Sequence, residues 1–230
     1  AQPLAPDDPR SLRLLRAIEA TWSIHLVCDL DDEGAPVRHD RDLPAYLASA
    51  RRGGLPFLTT PDDEESATIG GLVEPAGFAA GGVEELHVLA TLPIRPAPNL
   101  GEGLERVSSA LGASWAMITP EAAHSVIVQQ VVAPESDDAE PAGLPRLDPA
   151  ECLGSYVPRR LGWISYWTDL TAANIGFAGD PRGFARVTRV ETGWIVQLTD
   201  DPLDLQRADH MDALRAAYER HPTIGRAKRK

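Results

Sequence analysis

Apolar residues recur at helical spacing near the start of the chain and then give way to shorter segments typical of strands. Asp8 precedes Pro9, and apolar residues follow at positions 12, 15, 18 and 20, which predicts a helix over residues 9–22. A second helix is expected over residues 42–52, and strands over residues 23–30, 55–58, 67–73 and 84–92. In the last of these strands, Leu86, Val88 and Ala90 point to one face of the sheet. The other face carries Glu85, His87 and the apolar Leu89, so we expect a sheet nearly buried on both faces.

The second half of the chain has the clearer pattern. A third helix is expected over residues 100–115, and Thr119-Pro120-Glu121 opens a segment reaching 132 that suits a helix or, at residues 126–128, a strand. Thr168 is a good helix N-cap, residues 193–198 form a predicted strand, and Asp200-Asp201-Pro202 a turn. Residues 209–221 then form an amphipathic helix with four core-facing residues: Met211, Leu214, Ala217 and Tyr218.

These elements predict an α+β fold with a mixed or antiparallel sheet and flanking helices, because strands and helices are mixed without strict alternation. We expect an N-terminal α+β region over residues 1–132 and a proline- and acid-rich exposed linker over residues 133–150. A tryptophan-rich α+β region follows over residues 151–230, and it either stands alone or packs with the first region as one globule. Trp163, Tyr166 and Trp167 are interpreted as its core rather than as an exposed anchor.

The charge balance changes the expected partner. Net charge is −12, with 34 acidic against 22 basic residues, and 20 of the basic residues are arginine. This argues against direct binding of nucleic acid or an anionic membrane and favours a basic partner, although solubility alone also explains such acidity. No apolar run reaches the roughly 18 residues of a membrane span. Cys28 and Cys152 are expected to be free thiols in a reducing compartment rather than a disulfide.

The chain shows no catalytic signature. The six histidines form no metal-binding motif, Gly101-Glu102-Gly103 lacks the second close-approach glycine of a dinucleotide loop, and no nucleophile elbow occurs. The acidic run at 62–65 could serve acid–base chemistry or hold a divalent cation, but a solvated loop is the preferred interpretation. We therefore predict no catalytic residue, no metal site and no cofactor.

Several motifs carry a family resemblance. They are LGWISYW at 161–167, GWIVQL at 193–198, PLDL at 202–205, AYER at 217–220 and IG at 224–225, preceded by DDPR at 7–10, GLPFL at 54–58 and EPA at 74–76. In this order they resemble the immunity protein 52 family and its close relatives. The resemblance implies a cytoplasmic antidote of polymorphic toxin and type VI secretion systems, which binds a toxin of restriction-endonuclease type. It also implies a strand before residue 7, so the start at Ala1 without methionine favours truncation over a cleaved leader.

The resemblance and the charge together predict a partner-binding surface of acidic turns that occupies or flanks the basic cleft of a nuclease. An immunity protein can equally bind away from the active site and disturb toxin assembly. The alternative function is a small-molecule binder or enzyme with a site of dispersed residues, around the aromatic cluster and Arg159-Arg160. The candidate partner-binding residues are Asp31, Asp32, Glu33, Asp62, Asp63, Glu64, Glu65, Asp137, Asp138, Glu140, Asp200 and Asp201.

Overall fold

The chain divides into two compact units. The computed structural model describes residues 1–5, 8–26, 28–30, 36–38, 43–48, 53–60, 67–76, 84–92, 100–130, 143–147 and 156–225. The first unit comprises residues 1–79 and 83–113, and the second comprises residues 80–82 and 114–230. The two units therefore divide between 113 and 114, earlier than the predicted limit at 132. Both contain helices and an antiparallel sheet, so the α+β prediction is confirmed.

The first unit contains the three helices α1 (Pro9–Trp22), α2 (Leu43–Ala48) and α3 (Leu100–Leu111). Asp8 caps α1 by accepting a hydrogen bond from the Arg10 N–H at 2.8 Å, as the sequence predicts. Helices α1 and α3 approach closely at Gly103, where a Cβ atom would lie 2.3 Å from Cγ2 of Thr21. The predicted third helix to residue 115 is too long, because Gly112 takes a φ of +69° after α3.

A five-stranded antiparallel sheet completes this unit. Its strands β1 (Cys28–Leu30), β2 (Pro36–Arg38), β3 (Leu55–Thr59), β4 (Thr68–Glu74) and β5 (Glu85–Thr91) lie in the order β2-β1-β3-β4-β5. The strand predicted from residue 23 begins only at Cys28, because Ser23, with φ 54°, ends α1. The prediction of burial on both faces is wrong: Ile69 and Leu86 are buried, but Leu72 and Leu89 are about two-thirds exposed.

The second unit is built on a four-stranded antiparallel sheet in the order β6-β7-β9-β8. The strands are β6 (Trp115–Ile118), β7 (Ile164–Thr168), β8 (Arg186–Val190) and β9 (Gly193–Gln197), and the helices are α4 (Glu121–Ile127), α5 (Asp169–Asn174) and α6 (Ala208–Arg220). Helix α4 continues as a short 3-10 helix to Gln130, which decides the open question at residues 126–128 in favour of helix. Thr168 caps α5 as predicted, accepting from the Thr171 N–H at 3.2 Å.

The aromatic residues of the C-terminal motifs form the core of this unit. Trp163, Tyr166 and Trp167 are 8%, 2% and 1% exposed, which confirms their assignment to the core. The indole N–H of Trp163 donates to the Thr199 carbonyl at 2.9 Å, so its polar atom is satisfied although buried. All four residues of the predicted stripe on α6 are buried as well.

The predicted exposed linker is partly buried. Within residues 143–147, Leu144 and Leu147 are 0% and 2% exposed, and the Leu147 N–H donates to the Gln130 carbonyl at 2.9 Å. Apolar burial therefore decides the placement of this segment in spite of its proline content. The rest of the linker lies outside the described residues, as do Cys152 and the side chain of Cys28. Among the helices described, none combines the length and apolar character needed to cross a membrane.

Candidate functional site

An open groove of about 410 Å³ lies in the second unit, beside the turn after β9 and the start of α6. Three carboxylates and one guanidinium line it, together with small and apolar side chains. We call it the acidic groove, and its lining residues are Gly183, Phe184, Ala185, Leu198, Thr199, Asp200, Asp201, Arg207, Asp209, His210, Ala213 and Ala216.

Hydrogen bonds fix the turn on one side of the acidic groove. The Gln197 amide donates to the carbonyls of Thr199 and Asp200 at 2.8 and 3.1 Å. The Thr199 hydroxyl donates to the Asp201 carbonyl at 2.7 Å. Because side chains satisfy these backbone oxygens, the turn is held in one conformation while Asp200 and Asp201 remain exposed.

The segment that leads into α6 is fixed by a buried histidine. His210 is 4% exposed, and its Nδ1 accepts a hydrogen bond from the Asp204 N–H at 3.0 Å. The Asp204 carboxylate in turn accepts from the Gln206 N–H at 2.9 Å. His210 is therefore a satisfied core histidine, which agrees with the sequence interpretation of the Asp209-His210 pair as simple neighbours.

Arg207 joins two of the acids across the acidic groove. Its guanidinium lies 3.2 Å from the Asp201 carboxylate and 2.7 Å from the Asp209 carboxylate. The hydrogen bond from Arg207 lowers the pKa of Asp209, and the same two carboxylates raise the pKa of Arg207. Both shifts favour the charged forms, so Asp209 carries a negative charge and Arg207 a positive charge at neutral pH.

Only two of the predicted partner-binding residues can be placed. Asp200 and Asp201 are both exposed at the acidic groove, and their role in partner binding stays a prediction. Asp209 and Arg207, which sequence reasoning did not assign to the surface, join them there. The remaining candidates lie outside the described residues: Asp31, Asp32, Glu33, Asp62, Asp63, Glu64, Glu65, Asp137, Asp138 and Glu140.

A second cavity of about 250 Å³ lies beside the aromatic core, lined in part by Phe177 and His221. His221 stacks on Phe184 at 5.9 Å between ring centroids and meets Trp167 edge-on at 6.0 Å. Its Nδ1 lies 3.2 Å from the Ile175 carbonyl, and its Nε2 is buried with no hydrogen-bond partner among the described residues. Arg159 and Arg160, proposed from sequence as part of a small-molecule site, line neither cavity.

The described residues also contain one group of possible metal ligands, in the first unit. Glu74, Glu85 and His87 each offer a ligand atom, and these atoms lie within 4.8 Å of one another. Sequence reasoning missed the group because Glu74 and His87 are 13 residues apart and meet only through the register of β4 and β5.

With this geometry established, comparison with known families places the chain. The model of a domain of unknown function, DUF5953, matches residues 6–229. The chain belongs to the DUF5953 family. No curated protein matches the sequence. The match covers both units, so the DUF5953 domain includes the paired strands β4 and β5 as well as the acidic groove. Because the family description assigns no activity, a function for this DUF5953 chain has to be argued from its own residues.

Proposed function

We propose that this DUF5953 protein is a cytoplasmic immunity protein that binds and neutralises a cognate bacterial toxin, a nuclease effector of restriction-endonuclease type. It acts by stoichiometric binding and not by catalysis. The observation that carries the proposal is the acidic groove, whose exposed carboxylates suit a basic protein surface. The resemblance of the C-terminal motifs to the immunity protein 52 family supplies the class of partner.

Charge complementarity is the first support. A nuclease holds the DNA backbone in a basic cleft, and carboxylates at the rim of a groove offer that cleft negative charges in place of phosphates. Asp200, Asp201 and Asp209 supply three such charges, of which Arg207 offsets one. The net charge of −12 adds a long-range field that attracts a basic partner before contact.

The fixed geometry of the groove is the second support. Ordering a flexible loop during binding costs free energy, and that cost weakens an interface. Here the turn after β9 is held by Gln197 and Thr199, and the approach to α6 is held by His210. The carboxylates are therefore positioned before the partner arrives, which favours the tight binding that an antidote requires.

The proposal predicts a toxin gene beside the gene for this chain, and the experiment is a survival assay with that toxin. Cells expressing the toxin are expected to survive when they also produce the wild-type chain, and to lose protection with the double variant Asp200→Asn and Asp201→Asn. A matched control removes two exposed acids outside the acidic groove, Glu191→Gln and Glu219→Gln, with the same change in net charge. The immunity proposal would be refuted if the wild-type chain does not protect the cells. It would also be refuted if the gene for this chain lies among metabolic genes with no adjacent toxin gene.

A small-molecule site is the second candidate function, and the cavity beside His221 favours it. A buried imidazole nitrogen without a partner costs free energy, and a ligand that donates a hydrogen bond would remove that cost. Native mass spectrometry of the protein purified from cells tests this candidate. A retained small molecule that disappears in His221→Phe, with the fold intact, would support it, and the absence of any bound mass would reject it.

A further inference from the structure

We propose that Glu74, Glu85 and His87 form a binding site for a divalent transition-metal ion of the Zn²⁺ type. The site lies where β4 ends and β5 begins, on the face of the sheet that carries the exposed Leu72 and Leu89. This inference is independent of the proposed immunity function, because it concerns the first unit and needs no toxin.

The strand register places the three side chains together. Glu74 is directly opposite Glu85, and His87 is opposite Leu72, two positions along each strand. Directly opposed residues of an antiparallel pair share a face, as do residues two apart in one strand. Glu74, Glu85 and His87 therefore lie on one face by construction of the hairpin, and the result does not depend on a chance meeting of surface side chains.

The distances fit a common metal ion. Nε2 of His87 lies 3.1 Å from an oxygen of Glu74 and 3.6 Å from an oxygen of Glu85, and the ligand oxygens of the two glutamates lie within 4.8 Å of each other. Metal–ligand bonds of about 2.0–2.2 Å in tetrahedral geometry place ligand atoms roughly 3.3–3.6 Å apart. Small side-chain adjustments are then enough for all three atoms to reach one ion.

The charges of the group are compatible with a bound cation. Two carboxylates lie directly opposite each other on the sheet, and Glu85 is only 8% exposed. The Ala1 ammonium also acts on Glu85: the carboxylate raises the pKa of that ammonium, against the larger lowering by burial. A divalent ion held by the three side chains would add positive charge at the point where the two carboxylates meet.

The ligand types select the kind of metal. Ca²⁺ takes six to eight oxygen ligands and Mg²⁺ prefers an octahedral oxygen shell, whereas one imidazole nitrogen with two carboxylates suits Zn²⁺ and similar ions. Three protein ligands leave a fourth position for water or another donor. A bound ion would join β4 and β5, so its binding free energy would stabilise the first unit.

Calorimetric titration of the metal-stripped chain with Zn²⁺ tests the proposal, with Co²⁺ absorption spectra as a second readout of ligand geometry. We expect one Zn²⁺ per chain. The variants His87→Gln and Glu85→Gln should each weaken binding by at least about tenfold, because losing even an outer-shell partner costs 10- to 100-fold. Circular dichroism of each variant checks that the fold is retained. If Glu85→Gln does not fold, His87→Gln alone still tests the site, because His87 is more exposed than Glu85.

The chain offers a matched control in His25, whose Nδ1 lies 2.9 Å from a carboxylate oxygen of Glu19. That pair has one imidazole and one carboxylate, so His25→Gln should leave Zn²⁺ affinity unchanged. Two results would overturn the proposal. One is no stoichiometric binding by the wild type, which would show that the three side chains interact with one another and with their protein partners without a metal ion. The other is binding that survives both His87→Gln and Glu85→Gln, which would place the ion elsewhere in the chain.

Discussion

Tyr218 on α6 donates a hydrogen bond from its hydroxyl to Oε1 of Gln130, 88 residues earlier in the chain, at 3.0 Å. The same hydroxyl accepts from the Leu161 N–H at 3.1 Å, and Nε2 of Gln130 donates to the Pro145 carbonyl at 2.9 Å. Gln130 is fully buried, and burial raises the pKa of Tyr218 to about 12. This network fixes four separate segments of the second unit to one another.

Removing the hydroxyl should destabilise the second unit. Tyr218→Phe leaves the Gln130 oxygen and the Leu161 N–H buried without this partner, which typically costs about 1–3 kcal/mol. Urea unfolding followed by fluorescence measures the change. Tyr156→Phe is the control, because Tyr156 is 46% exposed and should unfold like wild type. Equal midpoints for Tyr218→Phe and wild type would contradict the role given to this network.

Truncating a core tryptophan should damage folding before it damages recognition. Trp163→Ala removes a buried ring and is expected to cost about 3–5 kcal/mol. Trp163→Phe keeps an aromatic ring but removes the indole donor to Thr199, so its cost should be smaller. Thermal melting and toxin binding are measured on the same preparations. Unchanged melting of Trp163→Ala with lost toxin binding would move Trp163 from the core to the interface.

The stability of the second unit should fall in mild acid because of His221. Burial is the main cause of its lowered pKa, opposed by the Ile175 carbonyl and assisted by the charge of Arg220. The unfolded chain then binds more protons than the folded one below the ordinary histidine pKa of about 6.5. The stability that the second unit gains from keeping His221 neutral is therefore fully present above pH about 6.5, and it is lost as the pH falls through the lower pKa of the folded state. In His221→Phe, the free energy of unfolding should depend less on pH in this range than it does in the wild type. An equal pH dependence in the variant and the wild type would contradict the assignment to His221.

Two helix caps and one apolar helix face could be predicted from the sequence because their causes are local. Asp8 before Pro9, Thr168 before α5 and the apolar spacing on α6 each depend on residues within a few positions, and each is confirmed. The aromatic core was predictable for a related reason, since a cluster of large apolar rings is costly to expose. The part of the acidic groove that could be predicted from the sequence is the turn that carries Asp200 and Asp201.

The features that escaped prediction depend on residues distant in sequence. Glu74 and His87 meet through the register of a hairpin, and Asp201 meets Asp209 through Arg207. Strand β6 was not predicted, and its first residue, Trp115, was assigned to the end of a helix, because nothing local shows that Gly112 takes a left-handed φ. The exposure of Leu89 contradicts its strand pattern, since apolar alternation does not reveal which face the rest of the chain covers.

The purified chain should not cleave nucleic acid, because an inhibitor that acts by binding needs no nucleophile or activated water. Incubation of DNA and RNA with the protein and added Mg²⁺, Mn²⁺ or Zn²⁺ measures this. Metal-dependent cleavage abolished by Asp62→Asn with Asp63→Asn, or by Glu85→Gln, would replace the immunity proposal with a nuclease assignment.

The most direct measurement of the central claim is the rate at which the chain associates with a catalytically inactive form of the neighbouring toxin, at several salt concentrations. If acidic turns steer the toxin, association should slow as salt rises while dissociation changes less, because screening acts on the long-range approach. The groove variant, Asp200→Lys with Asp201→Lys, should lower the association rate. Charge reversal at Asp62 to Glu65, or at Asp137, Asp138 and Glu140, should do the same if those acidic segments face the toxin. Glu191→Lys with Glu219→Lys serves as the control with the same net charge. The account predicts tight, salt-sensitive association that is slowed more by the groove variant than by this control; absence of binding by the wild type would contradict it.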